Sequence, residues 1–352
     1  MILLSIVLSI SDIAPPIHIS NYGENPASAP STRKCSYQER KTHVTNVCQR
    51  DYGTTGLTTT ELTKQLTNRV SKHLLVDDKH KIIYCHCGKV GSTTYKSLFA
   101  QYSKAYLKQY GNVAYGKLFR TATIHKALPK FGLRWIARIE EEDRREALDS
   151  YTKVLTVRHP LARLYSFYKN KLESGGRSMK GEKCKPYQRF MGPKITKAMR
   201  PQARMNNLTC ATDVSFAEFA SYYAENPEIQ RDRHLIPISA QCDPCSMDYD
   251  YILRLETGDS DQNFFLESLL REQTFEENDG AVHANAKSNH SESGWRNNNF
   301  IATMKQYKPI NTDVLSKLTT IYERDFRIFG YSIKNKSTMG CKITLPNGTT
   351  CC

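Results

Sequence analysis

The sequence lacks several features that would place it in a large class of proteins. Among its 352 residues, Ile2 to Ile10 is the only candidate for a membrane-spanning segment, and this run is short for a helix that crosses a bilayer. The chain has no internal repeat and no RNA-binding or helix-turn-helix motif. These absences argue against a multi-span membrane protein, a repeat protein and a nucleic-acid-binding protein.

Acidic residues are in the minority. The chain has 35 Asp and Glu against 50 Lys and Arg, which gives a net charge of +15. Such a charge suits nucleic acid, a membrane surface or an acidic polysaccharide. The basic residues are not confined to one arm and recur through Arg177–Lys185, Lys194–Arg204 and elsewhere. With 39% hydrophobic residues, the chain can bury a core in one larger domain or two smaller ones.

A strand, a tight loop and a helix are predicted in succession around Lys89. The apolar run Lys81–Cys85 predicts a strand, and the small residues after Cys87 predict a loop that leads into a helix. In an anion-binding loop of this kind, the backbone amides and the N-terminus of the following helix face the anion. A lysine adds a mobile positive charge, and hydroxyl groups add hydrogen-bond donors. The segment therefore predicts a site for a nucleotide-like anion, formed by Lys89, Val90, Gly91, Ser92, Thr93 and Thr94.

A Walker A loop is not evident. That pattern places its lysine after the second glycine, whereas Lys89 precedes Gly91. The stretch Gly111–Lys117 has the glycine and lysine spacing, but Leu118 stands where a metal-binding hydroxyl is needed. The residues before it, Ala105–Tyr110, are also a poor candidate for a buried strand.

A second strand and helix are predicted around Arg158. The run Val154–Val157 is apolar enough for a buried parallel strand, and Pro160 suits the first turn of a helix. Arg158 then lies at the carboxyl end of a strand, where ligands of open α/β sheets bind. Ser166 lies within the helix that follows.

Five segments occur in an order that resembles one family. They are the strand approach Leu74–Cys85, the loop Lys89–Lys96, the element Arg158–Ser166, the stretch from His234 through Cys242 and Cys245 to Thr257, and the closing Tyr322–Tyr331. Together they cover about residues 73–332. They resemble the carbohydrate sulfotransferases of the Golgi, in particular the group that includes the HNK-1, chondroitin and dermatan sulfotransferases.

The chain departs from the family pattern at four positions. Gly88 replaces the loop proline, Tyr95 replaces a tryptophan, Leu235 replaces the tryptophan after the histidine, and His159 stands where many members have an acid. Because none of these changes removes a charged contact to the donor, they bear on the choice of acceptor more than on donor binding.

The resemblance implies a fold, a donor and a site. The expected fold is an α/β three-layer sandwich with a central parallel sheet, the P-loop-like sulfotransferase fold, and the alternation of predicted strands and helices agrees with it. The expected donor is 3′-phosphoadenosine 5′-phosphosulfate, without a metal. The loop from Lys89 to Thr94 would hold the 5′-phosphosulfate, and Arg158 and Ser166 the 3′-phosphate, with Arg163 as a helper. The sulfuryl group would pass to a hydroxyl of a glycan, expected to be anionic.

A base must take the proton of the acceptor hydroxyl. Histidine is the side chain best suited to this role near neutral pH. His125 lies in sequence between the two donor elements, and His234 opens a family-like segment, so both are candidates. Glu256 is a weaker alternative.

Eleven cysteines favour an oxidising compartment and disulfides. Their odd number leaves at least one thiol free or intermolecular, and their pairing cannot be deduced. A zinc site formed by Cys85, Cys87, Cys242 and Cys245 is a weaker alternative. A redox role for the Cys242–Cys245 pair is weaker still, because a thioredoxin-like context is missing.

The chain order predicts four regions. They are a signal-anchor candidate (1–20), a stem rich in Ser, Thr, Asn and Pro (21–72), a catalytic domain (73–332) and a C-terminal tail (333–352). Sequons at Asn207, Asn289, Asn335 and Asn347 suit the secretory route. The resemblance implies a single-pass type II protein of the Golgi membrane with a luminal catalytic domain, or a secreted protein if the N-terminal segment is cleaved.

Five further segments can be assigned within the catalytic domain. The predictions are a helical crossing over Phe119–Asp149, helices over Phe216–Tyr223 and Asp259–Glu272, a strand over Asp250–Leu255 and a surface loop over 276–299.

Two other functions remain open from the sequence. A P-loop-type kinase or another ATP-using transferase would need a metal-binding carboxylate, and none is evident. A non-catalytic, heparin-like glycan-binding protein on the same fold would be expected to have lost Lys89, Arg158 or Ser166, and all three are present.

Overall fold

The computed structural model describes residues 35–66, 68–111, 113, 115–118, 123–173, 184–202, 209–271, 302–303, 305–335, 338–341, 343–344 and 350–351. The signal-anchor candidate, the predicted loop 276–299 and the sequons Asn207, Asn289 and Asn347 lie outside these residues.

A five-stranded sheet organises the described residues. Its strands are β1 (Leu74–Asp77), β2 (Ile82–Cys85), β3 (Leu133–Trp135), β4 (Thr152–Val157) and β5 (Tyr251–Arg254). They lie in the order β3-β1-β2-β4-β5. Strand β1 pairs antiparallel with β2 and β3, whereas β2, β4 and β5 pair in parallel.

The expectation of a parallel sheet is therefore wrong for one half of the sheet. Strands β1 and β2 form a hairpin across the short turn Asp78–Lys81, in which Lys81 has a φ of 51°. A parallel pair needs a much longer crossover, so this turn enforces antiparallel pairing. The parallel half is the part that leads into Lys89 and Arg158.

Apolar residues cover both faces of the sheet. Successive residues of β2 alternate between two hydrophobic clusters: Ile83 and Cys85 belong to one, Ile82 and Tyr84 to the other. All four are fully buried. Burial on both faces explains the continuous apolar run in the sequence.

Helices surround this sheet. The α-helices are α1 (Tyr37–Tyr52), α2 (Thr59–Gln65), α3 (Asn68–Ser71), α4 (Ser92–Gln101), α5 (Lys104–Tyr110), α6 (Tyr115–Leu118), α7 (Ile124–Ala127), α8 (Glu141–Ser150), α9 (Pro160–Lys171), α10 (Pro186–Phe190), α11 (Gly192–Met199), α12 (Phe216–Glu225), α13 (Pro227–Gln230), α14 (Ile238–Cys242), α15 (Pro244–Met247), α16 (Asp259–Phe264), α17 (Thr312–Ile321) and α18 (Glu323–Ile328). Short 3₁₀ helices cover Leu128–Phe131, Ile136–Arg138 and Leu255–Thr257, and a π-helix covers Phe265–Arg271.

Four small strands follow α18. They are β6 (Tyr331–Asn335), β7 (Thr338–Cys341), β8 (Ile343–Thr344) and β9 (Thr350–Cys351). They form two antiparallel pairs, β6 with β7 and β8 with β9. The predicted C-terminal tail (333–352) thus contains paired strands.

Helix α1 lies in the segment for which the sequence predicts a stem. Its side chains Val44 and Val47 are buried in the main hydrophobic cluster, and Cys48 forms a disulfide with Cys245. Within the predicted stem, α1 is therefore packed against the main hydrophobic cluster. The polar composition concealed this, because a few apolar residues on one helix face are enough to anchor it.

Four disulfides lie within the described residues: Cys35–Cys351, Cys48–Cys245, Cys85–Cys242 and Cys184–Cys210. Three of the four cysteines of the alternative zinc site are used in these disulfides, and Cys242 and Cys245 have different partners. The zinc site and the redox role of the Cys242–Cys245 pair are therefore both disfavoured. Cys87 is a buried free thiol whose Sγ lies 3.3 Å from that of Cys242.

The predicted helical crossing over Phe119–Asp149 is only partly helical. It contains strand β3, which adds to the edge of the sheet beside β1. Gly132, with a φ of 77°, ends the preceding 3₁₀ helix and turns the chain into β3. The predicted helix beginning at Phe216, the strand after Asp250 and the helix after Asp259 are confirmed as α12, β5 and α16.

Within the described residues, no helix combines the length and the apolar character needed to cross a membrane.

Candidate active site

The loop between β2 and α4 has the shape that the sequence predicts. Lys89 and Gly91 both adopt left-handed backbone conformations, with φ of 70° and 81°, and turn the chain sharply into α4. A Cβ atom at Gly91 would lie 3.1 Å from Leu255 Cδ1, so the position also favours glycine for space. Gly91 caps α4 without a side-chain acceptor, which leaves the first turn suited to an external anion.

Lys89 lies among other cations. Burial, together with the positive charges of Lys171, Arg158 and Arg163, lowers the pKa of its ammonium group to about 7. No carboxylate is among the groups that shift it. A bound polyanion would supply the missing negative charge, so this environment fits an anionic ligand.

Arg158 joins the two predicted donor elements. It follows β4 directly, and its Nη1 atom donates a hydrogen bond to the Lys89 carbonyl oxygen at 3.1 Å. Ser166 is half-buried on helix α9, which begins two residues after Arg158. The lysine loop and the junction of β4 with α9 thus lie side by side.

Arg163 has a different environment from that expected of a donor-binding helper. Its side chain is 1% exposed. It donates from Nε to the Gly88 carbonyl oxygen at 2.9 Å and from Nη1 to the Ile236 carbonyl oxygen at 2.9 Å. Arg163 therefore holds the entry of the loop against the segment that follows His234.

Glu256 anchors the start of helix α9. Its Oε1 atom accepts a hydrogen bond from the His159 N–H at 2.7 Å, and its Oε2 atom accepts one from the Tyr331 hydroxyl at 2.9 Å. Burial lowers the pKa of Arg158, and the negative charge of Glu256 opposes that shift. With both oxygens engaged, Glu256 is a poorer base candidate than the histidines.

His125 lies beside the loop, on helix α7. Its Nε2 atom is 3.3 Å from Thr93 Oγ1, and its Nδ1 atom is 3.4 Å from Lys96 Nζ. Partial burial and the positive charges of Lys96 and Arg233 lower its pKa to about 4. The sequence pattern gave no role to Lys96, although it lies within the loop motif.

His234 lies beside the start of the loop, next to Gly88. Its Nδ1 atom is 2.9 Å from Asp232 Oδ1 and 3.2 Å from the Tyr187 hydroxyl. A Cβ atom at Gly88 would lie 3.0 Å from His234 Cδ2. The glycine in place of the family's loop proline therefore gives His234 room to approach the loop.

Two further basic residues border this region. Lys171, at the end of α9, lies 5.1 Å from the ring centre of Tyr187, and Arg233 is exposed beside His234. Both lower the pKa of His125 by their positive charge. Basic clusters are evident in the sequence, but no pattern in it singles out these two residues.

The Walker-like stretch does not follow a strand. The residues before Gly111 form helix α5 and lie outside the sheet, in agreement with their poor match to a buried strand. Among the described residues, the only group of three metal-ligand side chains close enough for one ion is Cys85, Cys87 and Cys242. Two of these are joined in a disulfide.

Comparisons with known proteins identify the family. The model of the sulfotransferase family matches residues 72–332. Carbohydrate sulfotransferase 14 of Danio rerio is 28% identical over 283 residues, which cover 77% of this chain and 65% of that protein. No solved structure gave a significant match.

Two mammalian relatives extend the comparison. Carbohydrate sulfotransferase 11 of Mus musculus is 26% identical over 308 residues, which cover 85% of this chain and 77% of that protein. Carbohydrate sulfotransferase 9 of Homo sapiens is 31% identical over 201 residues, which cover 56% of this chain and 40% of that protein. With the family model matching most of the chain, the resemblance inferred from the five segments is confirmed, and the protein belongs to the sulfotransferase family.

Proposed function

We propose that this protein is a carbohydrate sulfotransferase that moves a sulfuryl group from 3′-phosphoadenosine 5′-phosphosulfate to a glycan hydroxyl. The observation that carries the proposal is the hydrogen bond from Arg158 to the Lys89 carbonyl, because it brings the two predicted ends of the donor site into contact. The names of the related proteins support a carbohydrate acceptor.

The residues fit a donor with a charged group at each end. Lys89 is surrounded by cations, and a polyanion would relieve their mutual repulsion. In the proposal, the loop from Lys89 to Thr94 binds the 5′-phosphosulfate, and Arg158 with Ser166 binds the 3′-phosphate. Sulfuryl transfer has a loose, in-line geometry like that of phosphoryl transfer, so positioning and charge neutralisation supply most of the rate enhancement.

Lys89 has a specific role in this scheme. As the bond from sulfur to the 5′-phosphate breaks, negative charge grows on the oxygen that leaves with the nucleotide. An ammonium group held in place next to that oxygen stabilises the transition state more than the ground state. Arg163 acts indirectly, by holding Gly88 and so the start of the loop.

Several finer expectations belong to the proposal. The covering of both sheet faces by apolar clusters supports the three-layer, P-loop-like sulfotransferase fold. The basic residues Lys171 and Arg233 support an anionic acceptor. Four disulfides within the described residues support a luminal, oxidising location, for which a Golgi membrane with an N-terminal anchor is the family-based expectation. We expect the reaction to need no metal.

Nucleotide binding separates this proposal from the two rival functions. Thermal shifts would be measured with 3′-phosphoadenosine 5′-phosphate, with adenosine monophosphate, and with ATP plus magnesium. We expect the bisphosphate to stabilise the protein most, because only it engages both donor elements. A preference for ATP with magnesium would favour a kinase-like transferase, and no response to any nucleotide would favour a bare glycan-binding protein.

Transfer itself is tested with radiolabelled donor and a panel of desulfated glycans. Lys89→Ala should lower kcat by roughly 100-fold or more, the range for loss of one preorganised transition-state donor. Arg158→Ala should mainly weaken binding of the bisphosphate. Unchanged kinetics in both variants, or no transfer to any glycan by the unaltered protein, would refute the proposal.

A further inference from the structure

Lys96 is a buried lysine without a carboxylate partner among the described residues. Its side chain, on helix α4, is 2% exposed. Its Nζ atom lies 5.0 Å from the ring centre of Trp135 and 3.4 Å from His125 Nδ1. A buried ammonium group normally needs an anion, so this environment favours a lysine that gains and loses its proton easily.

His125 connects this lysine to the donor loop. Its Nδ1 atom faces Lys96, and its Nε2 atom lies 3.3 Å from Thr93 Oγ1. The two ring nitrogens of a neutral imidazole always differ, because one carries the proton and the other carries the lone pair. The partner of Nδ1 therefore determines which of them is on the loop side.

The charge of Lys96 selects between two forms of His125. A charged Lys96 donates a hydrogen bond to Nδ1, which puts the ring proton on Nε2 and leaves no lone pair on the loop side. A neutral Lys96 accepts a hydrogen bond from Nδ1–H, which exposes the Nε2 lone pair to the loop. Only the second form can take a proton from a hydroxyl near the donor.

We propose that Lys96 sets the tautomer of His125 and holds the proton that His125 withdraws from the acceptor hydroxyl. This inference rests on the proposed sulfotransferase function. It makes His125 the base and Lys96 a positioning residue that acts through it. His234, with its Nδ1 atom tied to Asp232, is assigned no part in this proton transfer.

The proton and electron changes balance within the site. The acceptor O–H bond breaks as its oxygen bonds to sulfur, and the proton moves to His125 Nε2. The Nδ1 proton of His125 moves to Lys96 Nζ, which becomes an ammonium group. The bond between sulfur and the 5′-phosphate oxygen breaks, and its electron pair leaves with the nucleotide.

The surrounding charges explain why two groups are needed. Burial and the charges of Lys96, Arg233, His234 and Lys171 lower the pKa of His125 to about 4, so His125 alone is a weak base. Burial, followed by the charge of Arg233, lowers the pKa of Lys96 to about 7. Lys96 thus keeps a proton near neutral pH that the imidazole would quickly lose.

Two further histidines belong to the same cluster. The His86 ring lies 6.2 Å from that of His125 and 5.9 Å from that of Trp135, and the His73 ring lies 6.3 Å from that of His86. Burial lowers the pKa of both. They therefore stay neutral around pH 7 and do not compete for the proton.

The tautomer of His125 gives a test that does not depend on activity. The full chain would be labelled with ¹⁵N-histidine, and the His125 signals assigned by comparison with His125→Gln. We expect the proton to move from Nε2 to Nδ1 as the pH rises through about 7. In Lys96→Arg, which stays charged, we expect Nε2–H at every pH. The same tautomer at all pH values in the unaltered protein, or identical behaviour in Lys96→Arg, would overturn the inference.

Kinetics supply the second readout. If Lys96 must be neutral, kcat should rise with pH through about 7 in the unaltered protein. Lys96→Arg should lose at least about 100-fold in kcat, the low end of the range for proton transfer by a positioned base. Its affinity for 3′-phosphoadenosine 5′-phosphate should stay within a few-fold of the original. In Lys96→Met, the acidic limb should move to lower pH, because it then reports the protonation of His125, whose pKa of about 4 lies below that of Lys96 and rises only in part when the positive neighbour is lost.

The matched control is Lys104→Met, which replaces an exposed lysine on the next helix, α5. This variant should keep the original pH profile. An unchanged pH profile in both Lys96 variants would refute the role of Lys96 while leaving the sulfotransferase proposal intact. Absence of transfer by the unaltered protein would instead refute the proposed function. The tautomer experiment would still decide whether the charge of Lys96 controls the tautomer of His125.

Discussion

The Arg163 side chain and the Gly88 carbonyl are joined by a hydrogen bond of 2.9 Å inside the protein. The same guanidinium group also donates to the Ile236 carbonyl oxygen, so helix α9 holds the lysine loop and the segment after His234 together. The loop is shaped by its own glycine and lysine conformations, but its place against α9 depends on this arginine.

Replacement of Arg163 should therefore affect stability as well as activity. Arg163→Met leaves the partly buried Gly88 carbonyl oxygen without this donor, whereas the Ile236 carbonyl oxygen still accepts a hydrogen bond from Gln241 Nε2. We expect the free energy of unfolding, measured by urea titration, to fall by about 1–3 kcal/mol. Arg158→Met should lose less stability and more affinity for 3′-phosphoadenosine 5′-phosphate. The opposite ranking would mean that Arg163, and not Arg158, is the donor-binding residue.

Arg163→Lys separates the two contributions of Arg163. A lysine keeps the positive charge but cannot direct two N–H groups at carbonyl oxygens in the same fixed geometry. Substantial loss of stability in this variant would assign the role to hydrogen bonding. Full retention of stability would assign it to charge alone.

Donor binding should take up a proton at alkaline pH. At pH 8 the free Lys89, with its pKa lowered to about 7, is largely neutral. A bound polyanion favours the charged ammonium, so the pKa rises on binding and a proton enters from solvent. Affinity for 3′-phosphoadenosine 5′-phosphate should accordingly be highest below pH 7 and decline as the pH rises above 7. The decline should stop once the pH exceeds the raised pKa that Lys89 has in the complex.

Isothermal titration calorimetry at pH 8 in buffers of different ionisation enthalpy measures this uptake. Both phosphates of the ligand are fully ionised at that pH, so the group that takes up the proton must belong to the protein. Lys89→Met should abolish most of the uptake, and Lys96→Met should change it less. Equal uptake in the unaltered protein and in Lys89→Met would show that another group is protonated.

The sequence predicts the local structure of the two proposed donor elements well and the rest of the fold less well. Strand β2, its loop and α4 are local features, and so are β4, Arg158 and α9, because apolar runs, Gly91 and Pro160 mark their boundaries. The antiparallel hairpin of β1 with β2 was missed because only its second strand was predicted from the sequence, so the short turn before it was not recognised as a hairpin turn.

The environments of Arg163 and Lys96 could not be predicted for a different reason. Each depends on partners distant in the chain, Ile236 for the arginine and His125 with Trp135 for the lysine. A charged side chain in a helix is normally exposed, and nothing in its local spacing marks the exceptions. The packing of α1 was missed in the same way, because its anchor Cys48 pairs with a cysteine far along the chain.

The disulfide between Cys48 and Cys245 should stabilise the fold as a whole. It attaches α1 to α15, and the enclosed chain segment includes the donor loop. Replacing both cysteines by serine should lower the free energy of unfolding by about 2–5 kcal/mol. Cys87→Ser, which removes the buried free thiol, is the control.

Mass spectrometry of peptides from the unreduced protein checks the pairing directly. The expected products link Cys48 to Cys245 and Cys85 to Cys242. Cys87→Ser should give the same map. A peptide linking Cys242 to Cys245 would contradict the pairing and would revive a redox role for that motif.

The close approach of Gly88 and His234 predicts the effect of restoring the family's proline. Both Gly88→Ala and Gly88→Pro add a Cβ atom that would lie 3.0 Å from His234 Cδ2 and 3.3 Å from its Cα atom, so the histidine must move. We expect each change to cost about 1–3 kcal/mol, as for other overpacked sites. Because the Cα atom is also close, rotation of the His234 side chain alone does not relieve the contact.

A double-mutant cycle with His234→Ala distinguishes this contact from a general effect on the loop. Removing the imidazole relieves the clash with Cδ2 but not the one with Cα, so Gly88→Ala should cost less in the His234→Ala background without becoming neutral. The measurement is the free energy of unfolding of the four proteins, with transfer activity recorded in parallel. Strict additivity would mean that Gly88 is needed for the backbone of the loop and not for the room it gives His234.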